Sequence, residues 1–128
     1  MKKSVKLWLD RAEYDLESAR FMMQGGRYLY VAFMCQQSIE KLLKAIIQEK
    51  TEDLPPYTHN LTALAKHVDL SLSEKQLDFL ALLNRYYLNT RYPDHKQKLA
   101  DNIDEKKAKE LLSTSEGLYQ CLLKELTI

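Results

Sequence analysis

Glycine, proline and cysteine are all scarce in this chain of 128 residues, with three, three and two copies. Runs of β-branched residues are absent as well, so little in the sequence supports strands and tight hairpin turns. Cys35 and Cys121 are the only cysteines and belong to no CxxC pair, which excludes a disulfide framework or a zinc ribbon. Both fall in apolar helical patterns and read as buried, reduced thiols. No apolar stretch approaches the roughly 20 residues of a membrane span. The start, MKKSVKLWLDRAEYD, is basic but turns acidic before any hydrophobic region, unlike a signal peptide. These absences point to a cytoplasmic protein. A net charge of +1 also excludes a strong global field toward nucleic acid or an anionic membrane.

What remains is a single domain, residues 1–128, by length. Hydrophobic residues make up 45% of the chain, enough for one core. They recur at helical spacing almost throughout. A helix is predicted over about 4–24, with Ser4 as N-cap and the Gly25–Gly26 pair as its stop. A second is predicted over 27–50, ended by the segment holding Pro55 and Pro56. A short helix fits 60–67. Ser73 and Gln76 form a capping box for a helix reaching Asn89 or Thr90. Pro93 disfavours helix at Tyr92, so residues 91–101 read as a turn. A last helix opens near Asn102 and Glu105 and runs to about Leu126, with Gly117 on its solvated face. The fold class is therefore all-α: an antiparallel up-and-down bundle of four long helices plus one short helix, with Trp8, Ala12, Leu16, Ile39, Leu43, Leu80 and Leu122 in its core.

Polar residues interrupt the apolar faces of three helices. Asp15 falls within the face of Trp8, Ala12 and Leu16. Gln36 and Glu40 line the edge of the stripe that holds Cys35, Ile39 and Leu43. Asn84 sits among Leu77, Leu80 and Tyr87. A carboxylate buried without a partner costs several kcal/mol, so Asp15 and Glu40 each require a donor. Arg91, His59 and the tyrosine hydroxyls are available. Lys41 and Lys44 point away from the core stripe and read as a solvated face. The pattern fits either a hydrogen-bonded network that fixes helix register or a polar ligand pocket between helices. His59, His67 and His95 are not at metal-ligand spacing, and no metal or cofactor is implied.

Two apolar rows lie off the core faces. Leu7, Tyr14 and Phe21 repeat every seven residues; Phe79, Leu82, Leu83 and Tyr86 form a second stripe. A monomer rarely exposes such rows, so a homodimer is expected.

Four segments, LWLDRAEYDLESARFMM, YLYVAFMCQQSIEKLLKAII, PPYTHNLTAL and YYLNTRYPD, taken in this order, resemble the HEPN domain (higher eukaryotes and prokaryotes nucleotide-binding). The resemblance spans nearly the whole chain, and the pairing of QQSIEKLLKA with TRYPD is its most specific part. It implies a bundle of four or five helices, often dimeric, with a nucleotide- or RNA-related role. It also implies a separate minimal nucleotidyltransferase as partner, in a toxin–antitoxin or defence setting. Many members are metal-independent ribonucleases in which Arg stabilises phosphate charge and a His, with four to six residues between the two, moves the 2′-hydroxyl proton. Here Arg91 and His95 are separated by three residues, Tyr92, Pro93 and Asp94, so the spacing departs from that motif. Three functions are consistent with the sequence. The first is a binding module that holds a nucleotide or RNA phosphate through Arg91, with His59 or His95. The second is a ribonuclease toxin that uses Arg91 and His95. The third is a structural partner subunit.

Overall fold

The computed structural model describes residues 1–126 and is all-helical over them. The helices are α1 (Lys3–Gln24), α2 (Tyr28–Lys50), α3 (Leu61–His67), α4 (Glu74–Asn89), α5 (Pro93–Asn102) and α6 (Glu105–Leu123).

Helix α1 starts one residue before Ser4, with Lys2 as its N-cap and no side-chain cap bond, so Ser4 lies inside the first turn. It stops where expected. Gly26 adopts φ +72°, a left-handed conformation that glycine reaches without strain. The Arg27 N–H then returns to the Met22 carbonyl at 2.8 Å, and the Gly26 N–H to Met23 at 3.3 Å, the paired bonds of a Schellman stop. So short a link makes α1 and α2 an antiparallel hairpin.

Helix α2 is the centre of the bundle. Ile39, Leu42, Leu43, Ile46 and Ile47 are fully buried, and so are Gln36 beside them and Ser38 on the far side of the same helix. A helix covered all round needs apolar residues on every side or polar residues with partners. Ser38 meets this by donating to the Ala12 carbonyl of α1 at 2.8 Å. Gln76 at the start of α4 reaches Cys121 late in α6, and Lys50 at the end of α2 reaches Glu125 just beyond α6. Helices α1 and α4 therefore run against α2 and α6, in the expected up-and-down order.

Ser73 and Gln76 close their capping box at the start of α4. At the start of α6 the cap is Asp104, which accepts from the Lys107 N–H at 2.8 Å, rather than the Asn102/Glu105 box. The helix also ends earlier, at Leu123. Gly117 has open space around it, as a solvated face requires.

Residues 93–102 form a second short helix rather than a turn. Tyr92 is extended, as a residue before proline should be, and Pro93 takes the first helical position. Proline there loses no hydrogen bond and has its φ already set for a helix. The proline ends one helix by starting another.

Three burial expectations are corrected. Trp8 is only partly buried at the edge of the core, with Lys44 Nζ 5.5 Å from its ring centroid. Cys121 is exposed, whereas Cys35 is buried. Lys44 is buried at 7% exposure, not solvated. Ala12, Leu16, Ile39, Leu43, Leu80 and Leu122 are all in the core. Of the two apolar rows, Leu83 is buried and Phe79, Leu82 and Tyr86 pack against the core. Leu7, Tyr14 and Phe21 stand out from α1 at 58%, 62% and 70% exposure.

Candidate functional site

The two inward carboxylates belong to different networks. Asp15 of α1 is paired with Lys41 of α2, not with Arg91 or His59. Lys41 lies off the main stripe of α2, which suggests a solvated side chain, but α1 covers that side of the helix.

Glu40 is 3% exposed and takes three donors. Lys44, one turn on, donates to Oε2 at 3.1 Å. Gln36, one turn back, donates to Oε1 at 3.1 Å. His59 Nδ1 lies 2.9 Å from the same Oε1. Burial of a carboxylate beside an ammonium is tolerable only with such satisfaction of the remaining lone pairs. The spacing of four between Gln36, Glu40 and Lys44 puts all three on one face of α2.

His59 comes from the loop between α2 and α3 and is held twice. Its side chain is fixed by Glu40, and its carbonyl accepts from Gln36 Nε2 at 3.0 Å. Pro55 and Pro56 stiffen the approach to this position. The imidazole also packs on Tyr87 of α4, with centroids 4.8 Å apart, and Tyr87 stacks in turn on Phe33 of α2 at 6.0 Å.

Asn84 is a clamp. Its Oδ1 accepts from the Leu61 N–H at 2.8 Å, and its Nδ2 donates to Asn60 Oδ1 and Thr62 Oγ1 at 3.1 and 3.3 Å. These bonds tie the start of α3 to α4 and satisfy an orphan helix N–H. Asn84 therefore holds the site in shape.

Arg91 follows the end of α4. Its guanidinium carbon sits 5.6 Å from the Tyr87 ring centroid, a cation–π arrangement. Among the described residues no carboxylate lies within ion-pair distance of it. Arg91, Tyr87, His59, Asn84, Thr58 and Tyr57 line one cleft of about 320 Å³, within the size range of small-ligand sites. His95 is elsewhere. It lies in the first turn of α5, packs on Tyr92 at 5.8 Å and lines a separate depression with Pro93 and Asp94. Among the described residues no group of His, Cys, Asp and Glu is arranged to hold a metal ion.

The family model of the HEPN domain matches residues 5–126. The chain belongs to the HEPN domain family. Its structure is similar to that of TT1696 from Thermus thermophilus, with a TM-score of 0.82 at 23% identity, covering 98% of this chain and 100% of that one. It is also similar to ST0689, an archaeal HEPN homologue, with a TM-score of 0.77 at 26% identity, covering 99% and 100%. No curated protein matches the sequence. Among the described residues no helix is long and apolar enough to cross a membrane.

Of the residues singled out in the sequence, the fold brings Gln36, Glu40, His59, Asn84 and Arg91 together around Tyr87, and leaves Asp15 and His95 elsewhere. Sequence reasoning missed Tyr87 as the platform, because a tyrosine at helical spacing reads as core. It also missed Lys44, whose spacing of four from Glu40 was the available signal.

Proposed function

We propose that this HEPN domain is a binding module whose cleft between the α2–α3 loop and the end of α4 holds a nucleotide or RNA phosphate. The observation that carries this is Arg91: a guanidinium stacked on Tyr87, at the rim of a cleft, with no carboxylate among the described residues to neutralise it. Such a cation is suited to a phosphate, which it can bind through two parallel N–H donors. Tyr57, fully exposed at the same cleft, offers a second aromatic surface on which a base can stack. Calorimetric titration with AMP tests the reading. Wild type should bind, Arg91→Ala should lose binding, and Arg91→Lys should retain little of it, since lysine lacks the planar fork. His95→Ala should bind as wild type does. An undiminished affinity in Arg91→Ala would remove the basis of the proposal.

The ribonuclease alternative, with Arg91 and His95 as the reacting pair, is less favoured because the two residues line different depressions. Cleavage of single-stranded RNA in metal-free buffer, lost in both Arg91→Ala and His95→Ala at unchanged thermal midpoint, would restore it.

The same reading extends to assembly. The row Leu7, Tyr14 and Phe21 is exposed on the outer face of α1, which supports a homodimer through that face. A minimal nucleotidyltransferase partner, in a toxin–antitoxin or defence setting, fits the family resemblance and an apolar surface of this kind. Co-purification with such a partner encoded beside this chain is its test.

A further inference from the structure

We propose that His59 reads the ribose of the bound nucleotide, accepting a hydrogen bond from the 2′-hydroxyl through Nε2, and that buried Glu40 fixes the imidazole tautomer that makes this possible. The proposal rests on the cleft being a nucleotide site.

The carboxylate of Glu40 can only accept hydrogen bonds. Lys44 occupies Oε2 and Gln36 shares Oε1, so the 2.9 Å bond to His59 places the proton on Nδ1. In the neutral ring the other nitrogen is then an acceptor, because the hydrogen bond made by one nitrogen sets the role of its partner. The imidazole cannot turn over to present Nδ1 instead. Glu40 holds one edge, Tyr87 packs on its face and Gln36 holds the carbonyl of the same residue.

Half of the His59 side chain remains exposed, and it lines the cleft beside Arg91. Among the described residues Nε2 makes no hydrogen bond. The cleft therefore offers a fixed acceptor next to a cation. A phosphate on Arg91 presents only acceptors of its own to Nε2. A nucleotide adds hydroxyl and amino donors, and among them the 2′-hydroxyl is the one that the deoxyribose form lacks, so it is the donor assigned to Nε2 here. A site built to bond a hydroxyl discriminates against the analogue without it, since its own polar group is left unpaired. The 2′-hydroxyl is the feature by which proteins tell ribose from deoxyribose. His59 acts on specificity by touching the ligand, and Glu40 is a positioning residue.

The test compares AMP with 2′-deoxy-AMP by calorimetric titration of the full chain. Wild type should bind AMP about three- to tenfold more tightly, the worth of one net hydrogen bond. In His59→Ala the ratio should fall to about one. Glu40→Gln should also bring the ratio toward one although His59 is still present, because an amide can donate to Nδ1 and release the tautomer. A merely structural role for Glu40 would change both affinities together and leave their ratio alone. Where Glu40→Gln does not fold, His59→Ala decides the matter, since its side chain is half exposed. Equal affinities in wild type, or a ratio that survives in His59→Ala, would overturn the inference while leaving the phosphate reading intact. Binding of neither nucleotide would overturn both.

Discussion

His59 Nδ1 lies 2.9 Å from Glu40 Oε1, joining a half-exposed loop imidazole to a carboxylate sealed inside the central helix. That bond links fold to site. Glu40 is buried because α2 runs through the middle of the bundle, and its position one turn from both Gln36 and Lys44 supplies the other donors. The result is a polar network in the core with one edge in a cleft.

Removing the Glu40 carboxylate should be costly. Glu40→Ala strands the Lys44 ammonium, which is itself buried, and breaking a buried pair from one side costs about 3–5 kcal/mol. Replacing both, as Glu40→Leu with Lys44→Met, should recover most of the loss. Urea unfolding of wild type and these two variants measures this. A Glu40→Ala loss of under about 1 kcal/mol would mean that Lys44 finds water in the folded state.

Leu43 tests the register of α2. It is fully buried, and Leu43→Ala should cost about 2–5 kcal/mol of stability in the same unfolding experiment.

Alkaline pH should destabilise the fold through Cys35. Burial pushes its thiol up from 9.0 to about 12, so the folded state keeps a proton that the unfolded chain gives up. Stability is thus at its full value below about pH 9 and falls as pH rises from there toward about 12. Tyr119, pushed up from 10.0 to about 12 mainly by burial, adds in the same direction. Urea midpoints taken across that range should decline less steeply in Cys35→Ala than in wild type.

The outer face of α1 should hold two chains together. Sedimentation at micromolar concentration is expected to give a dimer for wild type and a monomer for Phe21→Glu, with little change in thermal midpoint because Phe21 is exposed. A wild-type monomer would leave the Leu7, Tyr14 and Phe21 row without this role.

Much of this was legible in the sequence, for local reasons. Helical spacing, the Gly25–Gly26 stop and the Ser73–Gln76 box act over a few residues, and the structure has each where expected. Asp15 and Glu40 stood out because a carboxylate on an apolar face needs a partner, and His59 was a named donor. The misreadings were questions of what packs on what. Lys41 and Lys44 lie off the main stripe of α2, and only the arrangement of α1 and the loop around that helix turns them inward. Pro93 illustrates an ambiguity of sequence itself: the same residue that forbids helix before it favours helix after it. Arg91 and His95 are close in sequence, yet the turn between α4 and α5 gives them different surroundings.

Whether a nucleotide phosphate binds beside Arg91 can be read residue by residue from amide chemical shifts during titration with AMP. Saturable shifts are expected to cluster at residues 57–60 and 84–91, with α1 unaffected and the cluster absent in Arg91→Ala. Shifts centred instead on residues 93–98 around His95, or none at all, would contradict binding beside Arg91.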